Sequence, residues 1–276
     1  MPDGIGIMPR GSFQVIEGEL LRFFCHWKER SQRTDYDLSA VMLDSEYGDM
    51  EHVSWTNYQT RYATYSGDIT EAPDGASEFI DIRLGEVTRK LILPQVYVYC
   101  GEDFEHAEES FFGWMLRGEW QSGAPFEARS VRTKSGMRGA GKVVLPIAFI
   151  RGDDGRWRGK WMHLYLKGTR SVDFPGVRAY GSLHRRRSAT PCWSTNQVEG
   201  HRLSTSLLTR AIIEREYLTV GWLLDLVAAQ GTEVVKWDGA TPPDVPVTFI
   251  GLEQPENLAP GSRVITLQNL LELIPE

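Results

Sequence analysis

Between Glu19 and Lys167 the chain is divided into short segments rich in aromatic and β-branched residues, with turn residues between them. The segments are LLRFFCHWK (20–28), DLSAVML (37–43), HVSWTNY (52–58), EFIDIRL (78–84), KLILPQVYVYC (90–100), FFGWMLR (111–117), PFEARSVR (125–132), KVVLPIAFI (142–150) and WRGKWMHLYL (157–166). Turns are marked by Tyr47-Gly48-Asp49, Pro73-Asp74-Gly75, Gly101-Glu102-Asp103 and Gly152-Asp153-Asp154-Gly155. In EFIDIRL, Phe79 and Asp81 alternate with Ile80 and Ile82, so one face is apolar and the other mixed. No apolar pattern of helical period and length interrupts the series. Strands at this spacing favour an antiparallel β-sandwich and argue against a doubly wound βαβ fold.

The rest of the chain narrows the setting. A length of 276 residues allows one large domain or two, and 41% hydrophobic with 24% charged residues is a globular balance. No apolar run approaches the ~20 residues that cross a bilayer, and MPDGIGIMPRGS lacks the pattern of a secretory leader. Cys25, Cys100 and Cys192 are too few and scattered for a disulfide framework, and there is no CxxC or HxxxH pair for zinc. A cytoplasmic protein is expected. The net charge of −7 offers no basic footprint for nucleic acid and suits a hard cation better.

The expected organisation is a sandwich over 1–168, a linker or long loop over 169–202, and a small α/β appendage over 203–276. Pro175, Gly176, Gly181, Arg185-Arg186-Arg187 and Pro191 mark the linker. Ser204 is placed to cap a helix through SLLTRAIIEREYL, and Thr219 to cap one through VGWLLDLVAAQ that stops at Gly231. TEVVKWDG and PVTFIGL suggest paired strands, and TLQNLLELI a closing helix. An appendage of this size is near the lower limit for a self-sufficient core, so it is expected to pack on the β module or dock on a protein partner.

Two loops carry the chemistry. Asp35 and Asp37, at i and i+2 where a strand begins, project to one side in extended geometry. Two such charges repel unless a cation lies between them. A second loop, SGDITEAPDGASE, offers Asp68, Thr70, Asp74 and Glu78, with Gly75 helping to turn carbonyls inward. Calcium takes six to eight oxygen ligands, a number the two loops reach only jointly. A helix-loop-helix calcium site is excluded, because Ala40 stands where its turn needs glycine and the flanks read as strands.

The run TDYDLSAVMLD, then HVSWTNY, then SGDITEAPDGASEFIDIRL, then LPQVYVY and SFFGWML, resembles the TerD family of tellurium-resistance and stress-response proteins over about residues 8–167. The resemblance implies a β-sandwich that binds calcium through acidic loops and has no catalytic role. It implies Asp35, Asp37, Asp68, Asp74 and Glu78 as ligands, with Thr70 and Gly75 as carbonyl or shaping positions. The chain departs from the family pattern at Ser39, where many members carry a third acid, and at Ala76-Ser77, where they carry an acidic pair. Its loop is also one residue shorter between Asp68 and Thr70. Fewer or weaker calcium sites are expected.

Other motifs give way to simpler readings. GMRGAGKV (136–143) nearly matches a phosphate-binding loop, but Val143 replaces the magnesium-binding hydroxyl and VLPIAFI continues as a strand; a glycine-rich hairpin turn is expected. Arg185-Arg186-Arg187 lacks a stacking platform for RNA. His26 lies among aromatics and reads as a hydrogen-bonded strand residue, and no serine occupies a G-x-S-x-G elbow. Two alternatives stay open: a lectin-like sandwich binding a small ligand through Trp55 and Tyr58, and an enzyme using the acidic loops around magnesium for phosphoryl chemistry.

Overall fold

The computed structural model of the protein describes residues 8–118, 131–166, 195–217, 219–237, 241, 243–251, 255–266 and 269–273. They form two compact units, Met1–Arg215 and Glu216–Glu276.

The first unit is a β-sandwich. In chain order its strands are β1 (Phe13–Ile16), β2 (Leu20–Lys28), β3 (Asp35–Leu43), β4 (Glu51–Val53), β5 (Ala63–Tyr65), β6 (Ala76–Arg83), β7 (Leu91–Cys100), β8 (Glu109–Arg117), β9 (Val131–Gly136), β10 (Val143–Arg151) and β11 (Trp157–Leu166). One sheet has the order β1-β11-β10-β7-β3-β4 and the other β5-β6-β2-β8-β9. Every pairing within them is antiparallel. The expected fold class holds.

Strand alternation explains the core. Leu21, Phe23, Cys25 and Trp27 of β2 face Tyr36, Leu38, Ala40 and Met42 of β3 across an apolar interior with Ile80, Ile82, Phe112, Phe149 and Trp161. Phe23 stacks on Phe112 and Phe149 at centroid distances of 6.0 and 5.8 Å. On the outside of β6, Asp81 pairs with Arg22 of β2 at 2.5 Å, both buried. The mixed face read from EFIDIRL is thus a covered ion pair.

The outer face of the six-stranded sheet is also apolar. Val41, Leu43, Leu93, Tyr97, Leu145 and Met162 pack there with Leu203, Ile212 and Ile213. Those last three come from helices α1 (Thr195–Ser204) and α2 (Leu207–Glu214). The first unit therefore runs to Arg215, and residues 203–215, expected with the appendage, belong to the sandwich. Ser206, rather than Ser204, caps α2 by accepting from the Thr209 N–H at 3.2 Å. Lys160 donates to the carbonyls of Ile213 and Arg215, which satisfies the helix's far end. α1 occupies the end of the expected linker; 168–194, including Arg185-Arg186-Arg187, lie outside the described residues. GMRGAGKV is not a hairpin turn, since it carries the chain from β9 in one sheet to β10 in the other.

In the second unit Thr219 caps α3 (Val220–Ala229) by accepting from the Trp222 N–H at 3.0 Å. Gly231 follows with φ +89°, the left-handed stop expected of it. TEVVKWDG is not a strand over its described residues 232–237. Instead β12 (Thr248–Ile250) pairs in parallel with β13 (Arg263–Ile265). The expected closing helix is a short 3-10 turn at Leu270–Leu273. Leu223 and Ile265 form a small buried core with Ile250 and Leu270 packed against it. Among the described residues, no helix is long and apolar enough to cross a membrane.

Candidate metal centre

β3 enters the six-stranded sheet with one side only partly covered. β7 pairs along its whole length, whereas β4 pairs only with Ala40, Val41 and Met42. Just before that stretch, the Leu38 N–H donates to Glu78 Oε2 of β6 at 2.8 Å. The other oxygen of Glu78 accepts from the Ile69 N–H at 2.9 Å. One fully buried carboxyl therefore ties the start of β3 to the 66–75 loop. Burial raises its pKa well above the usual carboxylate range, although both N–H groups oppose the shift.

This bracket brings Asp68 beside Asp35 and Asp37. Each of the three carboxylates places an oxygen within 4.8 Å of the others. Asp35 and Asp37 are 3% and 4% exposed, whereas Asp68 opens to solvent. Asp35 Oδ1 is buried and has no hydrogen-bond partner among the described residues. Burial first, then repulsion from Asp68, lifts the Asp35 pKa to about 6, with Arg33 pulling it back. Burial, then Asp35 and Asp68, lifts Asp37 to about 8. Burial also raises Asp68. Three crowded carboxylates, two of them desolvated, are costly unless protons or a cation neutralise them. An all-oxygen donor set with one idle buried oxygen fits a hard divalent cation, the remaining ligands being water or carbonyls.

Of the seven positions singled out in the sequence, the structure gathers Asp35, Asp37 and Asp68 and holds Glu78 behind them as the bracket. Thr70 turns its carbonyl to Arg33 Nε at 2.9 Å. Asp74 is exposed, in a turn closed by the Gly75 N–H on the Ala72 carbonyl. Gly75 has φ +89°, and a Cβ there would sit 3.3 Å from the His26 ring. Sequence reasoning missed Arg33, whose charge acts on Asp35, and Cys100, paired across from Asp35 in β7. Arg33 stands two residues from Asp35, and that spacing was the available signal; nothing local marks Cys100.

Of the two aromatics read as a platform for a small ligand, Trp55 is half-buried and Tyr58 is 49% exposed. Trp55 packs against the core, and Tyr58 lies edge-on to Tyr65 at 5.4 Å.

No protein-family model matches the chain, and no curated protein does. Among solved structures, the crystal structure of an unknown function protein, SAV2460, is similar at 13% identity and a TM-score of 0.43. The match covers 55% of this chain and 92% of that one.

Proposed function

We propose that this chain is a calcium-binding module of the TerD type, a cytoplasmic stress-response sensor or scaffold whose calcium site is not an enzyme active site. The supporting observation is the Asp35–Asp37–Asp68 cluster with its idle buried oxygen. The acidic loops bind the ion and carry out no catalytic step. Free Cys25 and Cys100 suit a reducing compartment. Residues 216–276, with Trp222 and Val235 exposed, are the part proposed to meet a protein partner.

Linkage supplies the test. Calcium at 100 times its dissociation constant adds about 2.7 kcal/mol of stability. Chelator-stripped protein is expected to melt at higher temperature with millimolar calcium and to respond much less to magnesium. Asp37→Asn is expected to abolish the calcium shift without lowering the metal-free melting temperature, because it replaces a carboxylate that must take up a proton to be buried with an amide that is neutral already. A melting curve that calcium leaves unmoved would overturn the proposal.

A further inference from the structure

On the outer face of the five-stranded sheet, three side chains from three adjacent strands join in a line. The Ser77 hydroxyl of β6 lies 2.8 Å from His26 Nδ1 of β2. His26 Nε2 lies 3.2 Å from Glu109 Oε2 of β8. Register explains the arrangement, since His26 pairs with Ser77 on one side and Phe111 on the other, and Glu109 sits two residues before Phe111. The imidazole is held by stacking on Phe111 at 4.7 Å. The Gly75 turn passes beside its other edge, where a Cβ would lie 3.3 Å from Cε1. Lys134 reaches the same spot from β9, its ammonium 5.4 Å from the Phe111 ring centre. His26 and Glu109 keep 21% and 31% of their side-chain surface open, so a small molecule can approach.

We infer that Ser77, His26 and Glu109 form a nucleophilic relay that gives the chain a slow acyl-transfer activity toward small activated carboxylic esters. With its Nε2 proton donated to Glu109, His26 presents the Nδ1 lone pair to the Ser77 hydroxyl. Burial holds the imidazole below its usual range against the pull of Glu109, which favours this neutral form near pH 7. Ser77 Oγ attacks the acyl carbon as its proton passes to Nδ1. The carbonyl electron pair moves onto oxygen, with Lys134, whose charge acts on His26 from the Phe111 side, offsetting part of that charge at a distance. Collapse breaks the bond to the leaving alcohol, which takes the proton from His26. Water then attacks the acyl-serine, giving one proton to His26, which returns it to Ser77 Oγ. The sum is ester plus water to acid plus alcohol, with no redox change. The relay draws on no backbone oxyanion donors, hence the restriction to activated esters. The relay is independent of the calcium reading, and the test is run in chelator.

The full-length protein is treated with a fluorophosphonate probe, which forms a serine–phosphorus bond and releases fluoride, and separately with 4-nitrophenyl acetate. Peptide mass analysis is expected to find the adduct on Ser77. Ser77→Ala should remove both the adduct and the ester turnover above background. His26→Gln should slow labelling by about 100-fold, the scale of lost base catalysis, and Glu109→Gln by less. Melting curves confirm that each variant is folded, and Lys134→Gln, at an exposed residue, is a fourth variant that leaves the fold intact and is expected to slow turnover. Wild-type protein unlabelled at Ser77, or folded His26→Gln labelled at the wild-type rate, overturns the inference.

Discussion

Glu78 does more for the acidic cluster as a bracket than it would as a ligand. Its two oxygens satisfy two backbone N–H groups that the sandwich would otherwise bury without partners. Glu78→Ala is expected to cost about 3 kcal/mol, the usual penalty of stranding such groups, measured as a lower urea midpoint at unchanged slope. The calcium shift should weaken with it as Asp68 is released from its neighbours. The carboxylates themselves make the metal-free protein sensitive to pH. Asp37 keeps its proton to about 8 when folded and loses it near 3.9 when unfolded. Between those values the native state holds the extra proton, so this group's contribution to stability falls as pH rises and is lost through 8. Buried His163 and His201, both pushed down to about 4, act in the opposite direction, but only up to about pH 6.5. The interval from 6.5 to 8 is therefore free of those two histidines, and comparison with Asp37→Asn cancels His106, whose pKa Asp103 raises in both proteins. Metal-free wild type is expected to lose stability there relative to Asp37→Asn, and saturating calcium should flatten the wild-type slope.

Among the elements, α1 shows how closely a polar helix can be seated on a sheet. Gly200 lies against Tyr97, so that a Cβ would come within 2.6 Å of its hydroxyl and ring. Gln95 donates to the Gly200 carbonyl at 3.1 Å and also to Ser204. Gly200→Ala is expected to lower stability by about 1–3 kcal/mol in denaturant unfolding, because overpacking against a fixed ring outweighs alanine's helical advantage of about 1 kcal/mol. The long strands were legible because aromatic and β-branched runs between turn residues are a local signal; the short β1 and β5 were not, and PFEARSVR lies outside the described residues except for Val131 and Arg132, which open β9. Asp35 and Asp37 were legible as an i, i+2 pair, and Asp68 as the acid of a glycine turn. α1 was not, since TNQVEGHRLS has almost no apolar face and the sheet beneath it decides its conformation. β13 was hidden because RVI is three residues long and its parallel partner is not its neighbour in sequence, whereas TEVVKWDG satisfied the local pattern better. The division of labour between Asp68 and Asp74 was equally hidden, because it depends on Glu78 reaching across to the other sheet.

For the whole molecule, the informative boundary is the one after Arg215. A chain ending there keeps Leu203, Ile212 and Ile213 over the outer face of the six-stranded sheet. It is expected to melt cooperatively and to retain the calcium response. A chain ending at residue 168 would uncover Val41, Leu43, Leu93 and Leu145, an apolar patch of the kind that drives association. It is expected to melt at lower temperature and to self-associate in sedimentation measurements. Assembly of the site is equally global. β3 pairs with β7, and β6 and β8 both pair with β2, so the carboxylates are set by strands far apart in the chain. Such non-local pairing folds slowly. On a ribosome, Asp35 and Asp37 emerge well before the β7 strand that fixes their direction. A growing polypeptide therefore has no grip on the proposed ion, and any grip appears late, once distant strands have closed around the carboxylates.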